Sequence, residues 1–459
     1  MPLKNKTFFA SFALTPQGWF HNVRVELRDG IIMALTADTQ ARSSDMVVPV
    51  LLPGLCNLHS HAFQRGMAGL AERRGLCDDS FWTWRDIMYR FALNLTPDQL
   101  RAIAAWLYVE MLEAGFSRVG EFHYLHHDRD GGQYSAIGEM AVQIAAAAEL
   151  TGINLTLLPV FYAHSDFGGK APKDAQRRFV NSVDQFSGLY ERCQAIIRTN
   201  AGWRLGVAPH SLRAVRDDEL QIVTELCPDG PVHIHIAEQT GEVDACLAHY
   251  GARPVEWLLD NISVSDRWCL VHATHLSVQE VQNFARSGAV AGLCPITESN
   301  LGDGVFPAAD YIAAGGNFGI GSDSHVLVSA SEELRTLEYA QRLILRQRNV
   351  IADANGSCGR RLFEAAYIGG AQALADPGLG LVVGAPADMV VLRDDYDVLL
   401  GNDAVAADTL LDRWIFTGSV KPSDVWVGGR HVVQNGRHVA RDQVAAAFSR
   451  TVQAVLAAG

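Results

Sequence analysis

Charge is scarce in this sequence. Only 19% of its 459 residues are Asp, Glu, Lys or Arg, against 48% that are hydrophobic. That balance excludes disorder over most of the chain, and the lack of sustained heptads excludes a coiled coil. A basic excess is also missing. The 38 basic residues face 51 acidic ones, a formal charge of −13, which opposes non-specific attraction to nucleic acid or to an anionic membrane. An anionic ligand must therefore find locally placed arginines. None of the eight cysteines forms a CxxC pair, and most lie in apolar runs where a reduced thiol packs as a small hydrophobe, which points to a reducing, cytoplasmic setting. No uninterrupted apolar run approaches the length of about 18 residues that a membrane helix needs. Residues 1–15 faintly imitate a signal peptide, but Pro16 follows at once and no small-residue cleavage pattern leads into it, so the segment reads as a strand.

The two chain ends share one texture. Asn22-Val-Arg-Val-Glu-Leu-Arg with Asp29-Gly30 as a turn, residues 387–392, and Val425-Trp-Val-Gly-Gly-Arg-His-Val-Val with Gly428-Gly429 as a turn all read as antiparallel strands. Between them, eight short β-rich runs precede amphipathic helices, at residues 50–58, 117–122, 154–161, 203–208, 232–236, 268–271, 289–293 and 317–320. Punctuation supports the helices. Thr96 caps and Pro97 opens one that closes at Gly115, while Ser277 and Glu280 form a capping box for one that runs to Gly288. The pattern predicts an α/β fold. It would be a (β/α)₈ barrel over residues 53–383 with a small β-sandwich domain built from residues 1–52 and 384–459, an open doubly wound sheet being the alternative.

Barrel enzymes place their chemistry at the C-terminal ends of strands, and the polar residues fall there. The first run ends in Asn57-Leu58-His59-Ser60-His61, whose period of two puts both imidazoles on one side. The fifth ends in His233-Ile234-His235-Ile236-Ala237-Glu238, the sixth at His272, and the eighth in Gly321-Ser322-Asp323. His59, His61, His235 and Asp323 together make a mononuclear metal site, with Glu238 and His272 unbound beside it. Nitrogen and oxygen donors without thiolate suit Zn²⁺, and Fe²⁺ and other divalent ions use the same set. A purely structural metal would not need the spare acid and base. His233 lies one layer deeper and reads as a core histidine.

Pro53-Gly-Leu-Cys-Asn-Leu-His-Ser-His61, His235-Ile-Ala-Glu238, His272 and the Gly-Ser-Asp323 ending resemble the amidohydrolase superfamily, in its one-metal deaminase branch. So does Gly384-Ala-Pro-Ala-Asp-Met-Val-Val-Leu392, in the tail. No lysine is placed to serve as the bridging carbamate of two-metal members. A closer resemblance, to the formimidoylglutamate deiminase family, rests on His59-Ser-His-Ala-Phe-Gln64-Arg, Ser80-Phe-Trp-Thr-Trp-Arg85, Glu121-Phe-His-Tyr124, His210-Ser-Leu-Arg213 and Thr297-Glu-Ser-Asn300-Leu-Gly-Asp-Gly304. It implies Glu238, His272 and Asp323 as catalytic groups and Gln64, Arg85, Tyr124, His210 and Arg213 as substrate contacts. It also implies a small dicarboxylate substrate, hydrolysis of N-formimino-L-glutamate to N-formyl-L-glutamate and ammonia, and a homodimer, with no nucleic-acid or membrane partner.

Bland readings stand beside these. Arg85 can shield the aromatic surface of Trp82 and Trp84, and Arg213 can pair with Asp217 or Asp218. Gln64, Tyr124 and His210 can brace neighbours at the barrel mouth, and Glu121, His126 and His127 read as structural. A deaminase of guanine, cytosine or an adenosine-like ring would carry the same metal groups, but would not need two arginines. A catalytically silent metal-binding scaffold would not need Glu238 and His272.

Overall fold

A computed structural model describes residues 5–73, 80–378, 380–394 and 404–458. Cys77 lies outside them, and the other seven cysteines are free and buried. No helix among the described residues is long and apolar enough to cross a membrane.

The chain ends meet in one eight-stranded sheet. Its order is Arg437–His438, Arg430–Gln434, Val420–Val427, Met389–Asp394, Met46–Pro53, Lys6–Thr15, Gly18–Arg28 and Ile31–Thr36. Alternation explains it, because Phe8, Val23, Val25, Leu51, Met389 and Trp426 all turn to one face and form a core of their own. Asp29 and Gly30 both adopt positive φ, at 51° and 83°, which is what a two-residue hairpin between right-twisted strands requires. Residues 384–459 contribute more than strands: helices Ala404–Phe416 and Arg441–Ala458 belong to them as well, and the second stacks its Phe448 on Trp106 of helix Pro97–Glu113.

The middle of the chain is a closed (β/α)₈ barrel. Its strands are Leu55–Ser60, Phe116–His123, Asn154–Phe161, the two short pieces Arg204–Leu205 and Ala208–Pro209, then Val232–Ile236, Trp268–His272, Val290–Leu293 and Asn317–Ile320. Two parallel runs of four are joined by bridges Val207 to Val232 and Ser211 to His235, and the eighth strand returns to the first through Ser60 and Asp323. That return demands a close approach. A Cβ on Gly321 would lie 2.8 Å from the His59 backbone, so only glycine lets the two edges meet beside the first imidazole.

The first strand differs from the expected run 50–58. The chain breaks at Gly54, whose N–H bonds the carbonyl of Asp388, just before strand Met389–Asp394 of the end sheet, while Leu55 N–H bonds that of Gly115. The continuous apolar run therefore serves two sheets, Met46–Pro53 in one and Leu55–Ser60 in the other. The fourth strand is interrupted at Gly206, where a Cβ would lie 2.5 Å from the Pro231 carbonyl. Helix boundaries follow the caps: Thr96 Oγ1 accepts from Gln99 N–H at 3.3 Å and Ser277 Oγ from Glu280 N–H at 3.2 Å.

Candidate metal centre and substrate cleft

At the C-terminal mouth of the barrel, Nε2 of His59 lies 3.1 Å from Nε2 of His61 and 3.0 Å from Nε2 of His235. Asp323 Oδ1 stands 3.3 Å from the first and 3.2 Å from the second. All four ligand atoms fall within 4.8 Å of one another. Their protonation makes the convergence informative. Burial, first of all, holds His59 down at about 3 and His235 well below the usual imidazole range. For Asp323 burial acts upward, but hydrogen bonds and charge attraction from His59 and His61 outweigh it and keep the carboxyl well below its ordinary value. With His59 and His235 held neutral and Asp323 ionised, three imidazole nitrogens and a carboxylate oxygen converge on one point, where a cation would satisfy all four at once. Arms of about 2.0–2.2 Å to a tetrahedral ion would set donor separations of about 3.3 Å. The donor set fits a divalent metal.

Outer groups aim these ligands. His61 Nδ1 donates to the Phe122 carbonyl at 3.0 Å and His235 Nδ1 to the His210 carbonyl at 3.1 Å, which leaves Nε2 free to ligate. Glu121 accepts from Ser60 Oγ, Ala62 N–H and Tyr108 Oη at 2.7, 2.7 and 3.1 Å, so it braces the His-Ser-His turn. His126 and His127 donate to backbone carbonyls of Val160 and Val180, and His233 donates to the Ala373 carbonyl at 2.7 Å, one layer below. Three non-glycine residues at the strand ends, Ala237, His272 and Asp323, hold positive φ of 50°, 65° and 43°. Such strain gathers where geometry is over-determined.

His272 and Glu238 sit beside the ligands. Their Nε2 and Oε1 are 3.8 Å apart, and His272 Nδ1 faces Glu298 Oε1 at 3.4 Å. Burial acts to lower His272, but the carboxylates of Glu238, Glu298 and Asp323 prevail and raise it to about 10; a dication among the ligands would oppose that field. Burial also raises Glu238, against the pull of His272 and Arg213. A carboxyl lifted above its usual range is suited to carry a proton.

All five expected contacts, Gln64, Arg85, Tyr124, His210 and Arg213, line the cleft above together with Glu238, His272 and Asp323. Gln64 Nε2 donates to Tyr124 Oη at 3.0 Å, so this pair does brace itself, while buried Gln64 Oε1 has no partner. Neither Arg85 nor Arg213 has an ion-pair or hydrogen-bond partner among the described residues, and Nε of each is buried and unmatched. The alternative partners of Arg213 are engaged elsewhere, Asp217 by Tyr250 and Asp218 by Arg216. Arg85 stacks over Trp82 at 4.4 Å and still faces the cleft.

The sequence reading passed over three kinds of neighbour. Tyr162 follows the third strand directly, the same position that marked the other candidates, and lines the cleft with Tyr89. Glu298 lies inside the Thr297–Gly304 stretch but drew no role. His325 Nε2 accepts from the His61 N–H at 3.1 Å and its Nδ1 meets Ser322 Oγ at 2.9 Å, tying the first strand's end to the eighth.

Residues 50–432 match the amidohydrolase family, and residues 6–47 match the N-terminal domain of formimidoylglutamate deiminase HutF. The chain is 50% identical over 452 residues to formimidoylglutamate deiminase of Pseudomonas aeruginosa, covering 98% of this chain and 99% of that protein. The chain belongs to the amidohydrolase family, among the formimidoylglutamate deiminases. Its fold agrees with that of an amidohydrolase from Brucella melitensis at a TM-score of 0.94, with 54% identity over 98% of this chain and 100% of the other. A more distant relative, 5-methylthioadenosine/S-adenosylhomocysteine deaminase of Natronomonas pharaonis, is 26% identical over 92% of this chain and 89% of its own.

Proposed function

We propose that this chain hydrolyses N-formimino-L-glutamate to N-formyl-L-glutamate and ammonia, a step in histidine degradation. The observation that carries the reading is the pair of unpartnered guanidiniums, Arg85 and Arg213, in the same cleft as the histidine and aspartate cluster. Two carboxylates on the substrate answer two forks that a purine or pyrimidine ring would leave unmatched.

His59, His61, His235 and Asp323 would hold the ion, and zinc suits their donor set. A divalent metal there supplies Lewis acidity that makes water nucleophilic at neutral pH. Within that frame, His272 orients the attacking oxygen and stabilises charge as the tetrahedral carbon forms. Asp323 accepts a proton through its carboxylate, and Glu238 delivers one to the terminal nitrogen of the amidine. Protonation there makes ammonia the leaving group, and the substituted nitrogen keeps its bond to carbon. Water and R–NH–CH=NH thus become R–NH–CHO and NH₃. Free, buried cysteines fit a cytoplasmic location.

The test is ammonia release by zinc-loaded protein given N-formimino-L-glutamate, with the carbon product identified by NMR and guanine, cytosine and adenosine run in parallel. Ammonia with N-formylglutamate is the expected result. Formamide with glutamate would overturn the bond assignment, and turnover of a ring substrate alone would overturn the substrate.

A further inference from the structure

Gln176 is buried on the short turn Asp174–Gln176, far in sequence from any residue so far given a role. Its amide orientation is set by the backbone: Oε1 accepts the Lys173 N–H at 2.8 Å. The Nε2 group must then face the other way, and its two protons go to Tyr162 Oη at 2.6 Å and Tyr89 Oη at 3.3 Å. Both phenol oxygens are therefore acceptors towards Gln176. Neither hydroxyl has another hydrogen-bond partner at short range among the described residues, and even if one bonds the other, at least one phenolic proton remains to be given away. Both rings line the cleft that holds Arg85 and Arg213.

This end of the cleft is assembled from separate pieces that the fold pins together. Arg178, fully buried, donates to the carbonyls of Ala92 and Leu95 at the C-terminal end of helix Phe81–Asn94 and to the His127 carbonyl. The loop bearing Gln176 is thus fastened to the helix bearing Arg85 and Tyr89. Arg85 lies 5.6 Å from the Tyr89 ring. Arg85, Arg213 and the two phenols bring N–H and O–H donors to this part of the ligand space, so a neutral ring or a cation would leave these donors unmet, whereas a carboxylate offers two oxygens and a negative charge.

We propose that Tyr89 and Tyr162, oriented by Gln176, complete with Arg85 and Arg213 a donor-rich subsite for the substrate carboxylate farther from the scissile carbon. The position favours that carboxylate. The His210 ring is 4.9 Å from that of His235, and the Tyr162 ring is a further 4.6 Å from His210, so the subsite is removed from the metal centre by a full side chain. The identity of the carboxylate rests on the substrate reading given above. Tyr89 and Tyr162 act as specificity residues, and Gln176 is a positioning residue.

The test compares calorimetric binding of N-formyl-L-glutamate and N-formyl-L-norvaline, which keeps the chain length but replaces the distal carboxylate by a methyl group. Zinc-loaded wild type, Tyr162→Phe, Tyr89→Phe and Gln176→Leu are used. Wild type is expected to favour the glutamate compound at least tenfold. Tyr162→Phe and Gln176→Leu should weaken it about fivefold or more while leaving the norvaline compound within twofold, with metal content unchanged. Equal losses on both compounds, or no loss on either, overturn the subsite. Tyr162→Phe keeps the ring, so it decides the matter should Gln176→Leu prove unstable. If wild type turns over no N-formimino-L-glutamate, the substrate reading fails separately. Glutarate then tests the subsite alone: weaker binding to Tyr162→Phe than to wild type sustains it, and equal binding removes it.

Discussion

The two ends of the cleft are electrostatic opposites. At the metal end, three imidazole nitrogens and a carboxylate converge on a point, a set of ligand atoms suited to a cation. At the arginine end, guanidinium and phenol groups converge with no hydrogen-bonded carboxylate among the described residues to answer them, a set of donors suited to an anion. Both would be costly in a protein built for stability alone, since buried polar groups are otherwise satisfied. Their coexistence in one cleft specifies a ligand with an electrophilic, nitrogen-bearing head and an anionic tail.

Breaking the metal end has the largest expected effect. His235→Ala, or removal of the ion by a chelator, should lower kcat by on the order of 10⁴ or more, because nothing else in the cleft activates water. Metal analysis beside turnover checks this, and substantial activity in metal-free protein would remove the cluster from the chemistry. Glu238→Gln separates holding the ion from using it. The variant should keep its metal and lose about 10³-fold in kcat, the order expected for a proton carrier; normal turnover would exclude Glu238 from the mechanism.

The arginine end should respond differently. Arg213→Met is expected to cost about 100-fold in kcat/KM, consistent with leaving a desolvated carboxylate without its fork at about 2–5 kcal/mol. Metal content should not move. A loss confined to kcat, with substrate affinity intact, would mean that Arg213 acts on the metal end instead.

The two ends were not equally legible from sequence. Metal ligands declare themselves by residue type, by the period of two in His59-Ser60-His61 and by their place at strand ends, so they could be assembled once the barrel rhythm was seen. Arg85 and Arg213 entered through the resemblance and the charge argument, and only the structure showed that Asp217 and Asp218 are taken by other partners. Tyr162 stands at a strand end like the other candidates, but Tyr89 and Gln176 carry no local signal, because their relation is created by Arg178 fastening a loop to a distant helix. The break at Gly54 was hidden for a similar reason: residues 47–56 are apolar throughout, and which sheet each half joins depends on where Asp388 and Gly115 lie. Helices Ala404–Phe416 and Arg441–Ala458 follow short strands in the tail and went unread beside them.

The smallest expected effect comes from His233, which sharpens the comparison within a single strand. His233 and His235 are two residues apart on Val232–Ile236 and share its inward side, but one meets the ligand cluster and the other the Ala373 carbonyl. Burial holds His233 down at about 4, so it is a neutral donor to that carbonyl. Replacement by Leu removes a buried hydrogen bond in a packed layer, a loss of about 1–3 kcal/mol, and should lower Tm by a few degrees. Metal stoichiometry and kcat should stay near wild type, since no cleft atom is touched. If His233→Leu instead lost its metal at unchanged Tm, the deeper layer would belong to the site, and the boundary drawn between the barrel's core and its mouth would have to move down by one turn of the pleat.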